Sequence, residues 1–509
     1  MKITEKIIGT SILMLVLAFS FSGVQAQYLE EFEKKVTEFT LDNGLTFVVV
    51  ERPVAPVVSF ATYVNVGGVD NPLGQSGLAH VFEHMAFKGT HYVGTNNWKK
   101  EKIVLQKLDA TYQKWLEEKY STSPDSSKLN QLWSEFESLQ EEAAQYVVNN
   151  EFSEIVNRNG GTGMNATTSA DRTNYFYSLP ENRIELWFSL ESDRFLNPVF
   201  REFYKEKEVV REERRSSYES SPVGKLYEAF LTTAYKAHPY GTPNIGWHSD
   251  ITATTMEDAR KFYETYYVPN NITIAIAGDV DPDEVKDLAE TYFGRLKKGP
   301  TPPPIYTEEP EQIAEKRFSI EQQSQPFLLL GYHTVNDQHP DYNALNLLSN
   351  ILVGGRTSKL YKRLVEKEQV ALGFQNLNGV PGTKYESMFA LLAVPNRGYD
   401  TDTLETAIYE ELEKIKNGEI GQEELDRVRT NARAGLIRGL DSNSGLAVRL
   451  GQAQSLQGDW RKVFTNLEDL DEVTVEDIQR VAKKYLVKEN RTVGSIVNAP
   501  AKKVADANQ

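Results

Sequence analysis

The sequence predicts an α+β fold built from two tandem, similar domains, each a β-sheet with packed helices. The first observation is an internal repeat, in which Thr255 opens a Thr-Met-Glu-Asp segment and Thr474 opens a Thr-Val-Glu-Asp segment. Asn271 and Asn490 then precede β-rich runs, and both pairs of residues are 219 positions apart, which indicates a duplicated unit. The second observation is that β-rich runs and helical patterns alternate within each half.

A Pro-rich segment separates the two halves. Residues 297–304 read Lys-Lys-Gly-Pro-Thr-Pro-Pro-Pro, a composition typical of a stiff, extended linker. We therefore expect the first domain at 27–298, the linker at 299–312, the second domain at 313–501 and a short tail at 502–509.

The first half opens with the signature of a β-hairpin. Residues 39–50 read as a strand, an Asn-Gly turn and a second strand, and another β-rich run extends over residues 57–66. Between about residues 97 and 150, apolar residues recur at helical spacing on both sides of a Ser/Pro/Asp-rich break. This pattern predicts an antiparallel helical hairpin, which we interpret as an insertion in the first domain.

Residues 1–26 have the pattern of a secretory signal peptide. Lys2 and Lys6 precede an apolar run at 7–21, and a small-residue cleavage site follows at 24–26. The run is short for a membrane span and no basic stop follows it, so we expect a periplasmic or secreted bacterial protein without membrane insertion after signal removal. The chain has no Cys, which excludes a disulfide framework, and its net charge of −16 disfavours nucleic acid and anionic membranes as partners. Neutral or cationic peptides are compatible partners.

A His-x-x-Glu-His motif, formed by His80, Glu83 and His84, lies within an apolar helical segment. On a helix, imidazoles four residues apart project from the same side with Cβ atoms about 5–6 Å apart, close enough to share one ion. Neutral imidazole is a normal zinc ligand, and a neighbouring carboxylate can take a proton from water that zinc has acidified. Burying these groups among Phe and Met without a partner is costly. The motif therefore indicates a zinc hydrolase site rather than two core or surface histidines that share this spacing by chance.

A second acidic element is a pair of glutamates, Glu206 and Glu213. They are seven residues apart, two turns of a helix, and therefore share a face. We expect Val209 and Val210 to place this face toward the interior, where two carboxylates beside valines indicate a neutralising cation. A solvated face in a charged run is the alternative. Glu212 lies about 100° away and is interpreted as a supporting or surface charge.

With these residues, the chain resembles the pitrilysin/insulinase family of inverted-motif zinc peptidases. The branch it resembles is the two-domain one, which includes bacterial zinc peptidases and the catalytic subunit of the mitochondrial processing peptidase. The resemblance covers nearly the whole mature chain and implies two α+β domains that face each other like a clam shell around a peptide-holding chamber. The matching segments are Gly77–Thr90, Asn165–Thr167, Asp193, Pro198, Glu206 with Glu213, His238–Gly241 and Gln325–Pro326.

The resemblance implies a role for each matching site residue. His80, His84 and Glu213 would be the ligands of one Zn²⁺ per chain. Glu83 would be the general base, and Glu206 a second catalytic carboxylate that supports the site. The implied activity is a metalloendopeptidase for peptides or unfolded segments, bound along an edge strand by β-augmentation. The implied substrate-binding residues are Asn165, Ala166 and Thr167.

Two departures from the family pattern affect these expectations. The interval between His84 and Glu213 is longer than usual, which the helical hairpin would explain. In the second half, Val365 and Leu372 stand where many members carry an Arg and a Tyr that stabilise the oxyanion, and neither side chain can donate a hydrogen bond. We therefore expect the catalytic subunit of a heteromeric pair, with a related subunit that supplies the Arg/Tyr pair.

Two alternatives to the heteromeric pair stay open. The chain could act alone with other donors, such as Arg356, Tyr361 or Arg363. It could also be a peptide-binding or scaffold subunit with a structural metal site and little activity of its own. The motif disfavours the scaffold, because a structural zinc site normally closes with four protein ligands and has no need of Glu83.

Overall fold

Two β-sheets, one in each half of the chain, organise the fold. The structure is a computed structural model that describes residues 31–498, so the predicted signal peptide (1–26) and tail (502–509) lie outside the described residues. Helices pack on both sheets, which confirms the predicted α+β class with two tandem, similar units. The domain boundaries proposed above stay predictions.

The first sheet has its strands in the order β1-β2-β6-β3-β5-β4. Strands β2 and β6 are parallel, and the other neighbouring pairs are antiparallel. The tight turn between β1 and β2 uses Gly44 at a φ of +91°, as the Asn-Gly signature predicts. Strand β4 lies at the edge, so one of its sides has no neighbouring strand within residues 31–498. The strands are β1 (Val36–Thr40), β2 (Thr46–Glu51), β3 (Val57–Val64), β4 (Thr162–Thr168), β5 (Thr173–Pro180) and β6 (Ile272–Gly278).

Ten α-helices lie in the first half of the described part of the chain. The two helical patterns predicted between residues 97 and 150 form α2 and α3, which lie against each other as a hairpin. Asn97 and Asp125 cap their N-termini by accepting backbone N–H groups. The helices are α1 (Leu78–Met85), α2 (Trp98–Lys119), α3 (Ser126–Ala144), α4 (Glu151–Arg158), α5 (Ile184–Leu196), α6 (Phe203–Arg214), α7 (Pro222–Ala234), α8 (His248–Ala253), α9 (Met256–Tyr266) and α10 (Pro282–Phe293).

The second sheet has the order β7-β11-β8-β10-β9 and also ends in an exposed edge, β9. Its strands are β7 (Lys316–Gln322), β8 (Phe327–His333), β9 (Ala371–Asn376), β10 (Met388–Pro395) and β11 (Arg491–Asn498). Its helices are α11 (Tyr342–Val353), α12 (Thr401–Lys416), α13 (Gln422–Gly439), α14 (Asn443–Gln457), α15 (Lys462–Glu472) and α16 (Val475–Tyr485). A π-helical segment, Tyr361–Lys367, lies between α11 and β9.

The internal repeat corresponds to a shared structural unit. Thr255 and Thr474 each cap a helix in a reciprocal capping box with an Asp three residues later. Asn271 and Asn490 each donate from Nδ2 to the carbonyl oxygen five residues earlier, at 2.9 Å in both cases. The same side chains therefore build the same helix-to-strand connection, α9 to β6 and α16 to β11, in both halves.

The two halves exchange one helix each. Helix α7, from the first half, packs on β7, β8 and β11 of the second sheet, and α14, from the second half, packs on β2, β3 and β6 of the first. In the first contact Phe230 is buried with Leu329 and Ala390. In the second, the Tyr63 hydroxyl of β3 donates to the Val448 carbonyl of α14 at 2.8 Å. Each sheet is therefore covered on one face by the other half of the chain.

Candidate metal centre

The His-x-x-Glu-His motif lies on α1, which begins directly after a glycine in a tight corner. Gly77 has a φ of +87°, and a Cβ there would lie 2.4 Å from the Ile245 carbonyl oxygen, so only glycine fits. The two imidazoles share the less buried side of the helix, with ring centroids 5.1 Å apart. The apolar side anchors α1 in the first core through Leu78, Val81, Phe82 and Met85.

Helix α6 brings both predicted glutamates to the imidazoles. Glu206 is buried and Glu213 is 41% exposed at the margin of the buried face. The expectation that Val209 and Val210 both face the interior is wrong for one of them, because Val210 is fully buried whereas Val209 is 44% exposed. Glu212 lies on the surface, where it accepts hydrogen bonds from Arg215.

His80, His84 and Glu213 form a compact group of metal-ligating atoms. Glu213 Oε2 lies 3.2 Å from His80 Nε2 and 3.4 Å from His84 Nε2. One nitrogen from each imidazole and one carboxylate oxygen all lie within 4.8 Å of one another. Two imidazoles and one carboxylate form a donor set that suits Zn²⁺ and leaves a coordination position open. The residues present therefore fit the metal that the motif predicts.

Glu83 lies beside this group and not within it. Its Oε2 is 3.7 Å from His80 Nδ1, which is too far for a hydrogen bond. The Glu83 carboxylate is partly exposed and shares the motif helix with both imidazoles. It is thus free to accept a proton from a molecule bound next to His80 and His84.

Glu206 links the imidazoles to a lysine that the sequence reasoning missed. Its Oε2 lies 3.5 Å from His84 Nδ1, and its Oε1 lies 2.5 Å from the Nζ of Lys88. Lys88 also contacts Glu202, at 3.0 Å. The signal that could have identified it is a basic residue four positions after His84, in the loop that follows the motif helix.

The positively charged side chains and the negatively charged carboxylates in this group stabilise one another. Hydrogen bonding to Glu206, and then to Glu213, raises the pKa of His84 to about 9. Contacts with His80 and then His84 hold the pKa of Glu213 well below its usual range. Burial pushes the pKa of Glu206 up, but the hydrogen bonds from His84 and Lys88 outweigh it and the net shift is downward. In the metal-free protein these carboxylates therefore favour cations next to them, which is the electrostatic environment that a metal ion requires.

The three predicted substrate-binding residues lie on the edge strand β4. Strand β4 contacts α1, so the edge runs beside the motif helix. Asn165 and Thr167 are exposed and Ala166 is buried, as expected for alternating side chains. The Ala166 N–H donates to the Asn165 side-chain oxygen at 2.9 Å. Because β4 has no neighbouring strand on one side within residues 31–498, this edge can pair with an extended peptide, and its role stays a prediction.

The structure places Val365 and Leu372, and it distinguishes among the three alternative donors Arg356, Tyr361 and Arg363. Leu372 lies on the edge strand β9 and is 53% exposed, and Val365 packs against the second core. Arg363 is held in ion pairs to three glutamates, which disfavours it as a free donor. Arg356 is exposed and Tyr361 is partly buried.

Within residues 31–498, no helix combines the length and the apolar character that crossing a membrane requires.

Comparisons with known proteins agree with the motif. The family described as "Insulinase (Peptidase family M16)" matches residues 46–106 and 141–246, and "Peptidase M16 inactive domain" matches residues 253–432. The break between residues 106 and 141 falls inside the α2–α3 hairpin.

One similar protein is the "Zinc protease PqqE" of Helicobacter pylori, which is 30% identical over 496 residues, 94% of this chain and 96% of that protein. The crystal structure of a protease from Helicobacter pylori has a TM-score of 0.75 at 29% identity and covers 91% of this chain and 99% of its own. The periplasmic protease PqqL from Escherichia coli has a TM-score of 0.64 at 18% identity, and the match covers 91% of this chain and 48% of that one. The chain therefore belongs to the insulinase family of peptidases, peptidase family M16.

Proposed function

We propose that this protein is a zinc-dependent metalloendopeptidase that hydrolyses peptides or unfolded segments. The observation that carries the proposal is the convergence of His80, His84 and Glu213 around one point, next to the free carboxylate of Glu83. Membership of the insulinase family and a relative named zinc protease support it.

In the proposed reaction, each of the site residues has a separate role. When bound by His80, His84 and Glu213, zinc lowers the pKa of water to about 7 and polarises a carbonyl. Glu83 accepts the proton of the attacking water on its carboxylate and returns it to the leaving amine, as a general base and then a general acid. Glu206 contacts Nδ1 of His84, whereas Nε2 of the same ring faces Glu213.

The free edge of β4 supports a peptide as the substrate. An extended peptide can pair with such an edge through main-chain hydrogen bonds, which are independent of side-chain sequence. Asn165, Ala166 and Thr167 would then hold the scissile region beside α1. Because only extended chain can pair in this way, we expect unfolded segments to be cleaved and folded domains to be resistant.

We further propose that this chain is the catalytic member of a pair and is exported. Val365 and Leu372 cannot donate to an oxyanion, so a related chain with Arg and Tyr at these positions would supply the missing stabilisation. The amino-terminal pattern of residues 1–26 and the absence of Cys support a periplasmic or secreted location.

The decisive test compares the purified wild-type chain with Glu83→Gln. We expect one zinc per chain in both by metal analysis, and hydrolysis of a quenched peptide only by the wild type. Retained turnover in the variant would exclude Glu83 as the base, and loss of zinc would make it a ligand. Chelation followed by zinc addition should abolish and restore the wild-type activity.

Titrating a related chain that carries the Arg/Tyr pair tests the heteromeric part. We expect activity to rise until the two chains are equimolar. Full activity of the isolated chain, unchanged by the second one, would contradict the pair. Zinc binding without hydrolysis in any mixture would favour the scaffold instead.

A further inference from the structure

Lys88 is a cation that contacts the acidic side of the candidate metal centre. It follows α1 by three residues, and its side chain is 22% exposed. The Nζ atom contacts two carboxylates of neighbouring acidic residues, Glu206 at 2.5 Å and Glu202 at 3.0 Å. The Lys88 ammonium group therefore connects the loop after the motif helix to α6.

Glu206 is held at both ends of its carboxylate. Oε1 pairs with Lys88, and Oε2 lies 3.5 Å from His84 Nδ1. A carboxylate in this position accepts a hydrogen bond from the Nδ1–H of an imidazole, so the proton stays on Nδ1 and the lone pair of Nε2 is available. His84 Nε2 is the atom that faces Glu213. The contacts from Lys88 through Glu206 thus reach Nδ1 of the imidazole whose other nitrogen, Nε2, would bind the metal.

We propose that Lys88 is a positioning residue for the metal centre, because it fixes the Glu206 carboxylate that orients His84 and selects its Nδ1–H tautomer. This inference rests on the proposed zinc site and adds a residue to it. Without the Lys88 ammonium group, Glu206 would lose its cation, Glu202 would keep only Lys205 on its other oxygen, and repulsion between the two carboxylates would displace Glu206 from His84.

The chain offers a matched control in Lys205. Its Nζ contacts the other oxygen of Glu202, Oε1, at 2.7 Å, but Glu206 is not among its partners in the described structure, and its side chain is 64% exposed. Lys205→Met removes the same charge from the same neighbour as Lys88→Met does. The two variants differ in the contact to Glu206, which is the contact that the proposal requires.

The experiment measures the zinc affinity of the full-length protein by competition with a chromophoric chelator. Variants that lose a residue which hydrogen-bonds to a metal ligand typically lose about 10–100-fold in metal affinity, so we expect a loss of that size for Lys88→Met and for Glu206→Gln. Lys205→Met should bind zinc like the wild type. Because both residues act through one contact, the double variant Lys88→Met/Glu206→Gln should be no weaker than the weaker single variant. Lys88→Arg, which restores a cation, should recover part of the affinity.

Cobalt provides a second readout that does not depend on turnover. The visible absorption spectrum of the Co²⁺-loaded protein reports the geometry of the ligands, and we expect it to change in Lys88→Met and to be unchanged in Lys205→Met. Circular dichroism establishes whether each variant is folded. If Lys88→Met is not folded, Lys88→Gln is used in its place.

Zinc affinity of Lys88→Met or Lys88→Gln equal to that of Lys205→Met would overturn the role of Lys88. A wild-type chain that binds no zinc would instead refute the proposed function itself.

Discussion

Glu213 and Glu212 are neighbours in the chain but have different surroundings. Glu213 shares one carboxylate oxygen between His80 and His84, whereas Glu212 pairs with Arg215 on the surface. We expect Glu213→Gln to weaken zinc binding at least about tenfold, because an amide lacks the charge of a carboxylate ligand. Glu212→Gln should leave the affinity unchanged. Chelator competition measures both, and the opposite order would place the ligand one residue earlier on α6.

Asp70, in the loop before the motif helix, should make folding stability depend on pH. Burial raises its pKa from 3.8 to about 6, although the Lys384 ammonium and the Gly67 N–H oppose the shift. The protonated form therefore stabilises the fold below pH 3.8, and this contribution is lost as the pH rises through 6.

Asp70→Asn removes this titration, so the variant should gain roughly 3 kcal/mol relative to the wild type between about pH 4 and pH 7. Urea unfolding at several pH values measures the difference. A difference that does not change with pH would show that Asp70 titrates normally in the fold.

At the residue scale, spacing predicted which side chains would meet, but not how deeply each is buried. The seven-residue interval placed Glu206 and Glu213 on one face of α6, and the structure has them there. The same reasoning failed for Val209, because the buried face is centred nearer Lys207 and Val210. The direction of that face depends on the α2–α3 hairpin packed behind α6, and no local pattern in α6 encodes it.

The α2–α3 hairpin supports α6 from the side opposite the imidazoles. Arg201, just before α6, makes a two-armed ion pair with Glu101 of α2, and both side chains are almost fully buried. The Tyr204 hydroxyl donates to Asp109, and Lys207 reaches the Tyr112 hydroxyl. The hairpin therefore holds the helix that carries both glutamates.

Breaking the buried pair should destabilise the protein strongly. We expect Glu101→Gln to cost about 3–5 kcal/mol, because it leaves the Arg201 guanidinium buried without a counter-charge. The control is Arg158→Met, which removes an ion pair with Glu154 on α4, where both side chains are exposed, and should change the stability little. Urea unfolding at neutral pH measures both. Equal small effects would mean that the hairpin contributes no support to α6.

At the element scale, the sequence predicted most strands and helices because their periodicity is local. The two strands of the hairpin at 39–50 and the Asn-Gly turn between them were predicted close to their final bounds. The π-helical form of Tyr361–Lys367 was not predicted, since a wider helical turn leaves the apolar spacing nearly unchanged over seven residues.

At the scale of the whole molecule, the exchange of α7 and α14 between the halves could not be predicted from the sequence. An amphipathic helix shows which of its faces is apolar, but not which sheet covers that face. The repeat indicated two similar units, from which the simplest expectation is that each helix packs on the sheet of its own unit. The exchange makes the two halves depend on each other for burial, so we expect them to unfold together.

A loop of the second half also contacts the first half next to β4. Asp171, in the turn between β4 and β5, is buried and accepts hydrogen bonds from the Thr383 and Lys384 N–H groups, at 2.8 and 3.2 Å. The Tyr240 hydroxyl donates to the same carboxylate. This contact fixes the end of the candidate substrate strand to the second half of the chain.

Gly382 allows this close approach, which makes it a sensitive test of the contact. A Cβ at Gly382 would lie 2.3 Å from Asp171 Oδ2 and 2.6 Å from the Tyr240 hydroxyl oxygen, whereas a Cβ at Gly373 would have no atom within 4 Å. We expect Gly382→Ala to cost about 1–3 kcal/mol through overpacking and displacement of the loop. Gly373→Ala should stay within about 0.5 kcal/mol of the wild type.

Asp171 lies in the turn that follows β4. Displacing the loop that contains Gly382 should therefore also loosen β4, the candidate substrate strand. We therefore expect Gly382→Ala to raise the KM for a quenched peptide while zinc stoichiometry stays the same, since His80, His84 and Glu213 lie outside this contact. Urea unfolding, metal analysis and peptide kinetics on both glycine variants separate these effects. Wild-type stability and KM in Gly382→Ala would show that the loop adapts without loss and that the second half does not position the substrate strand through Asp171.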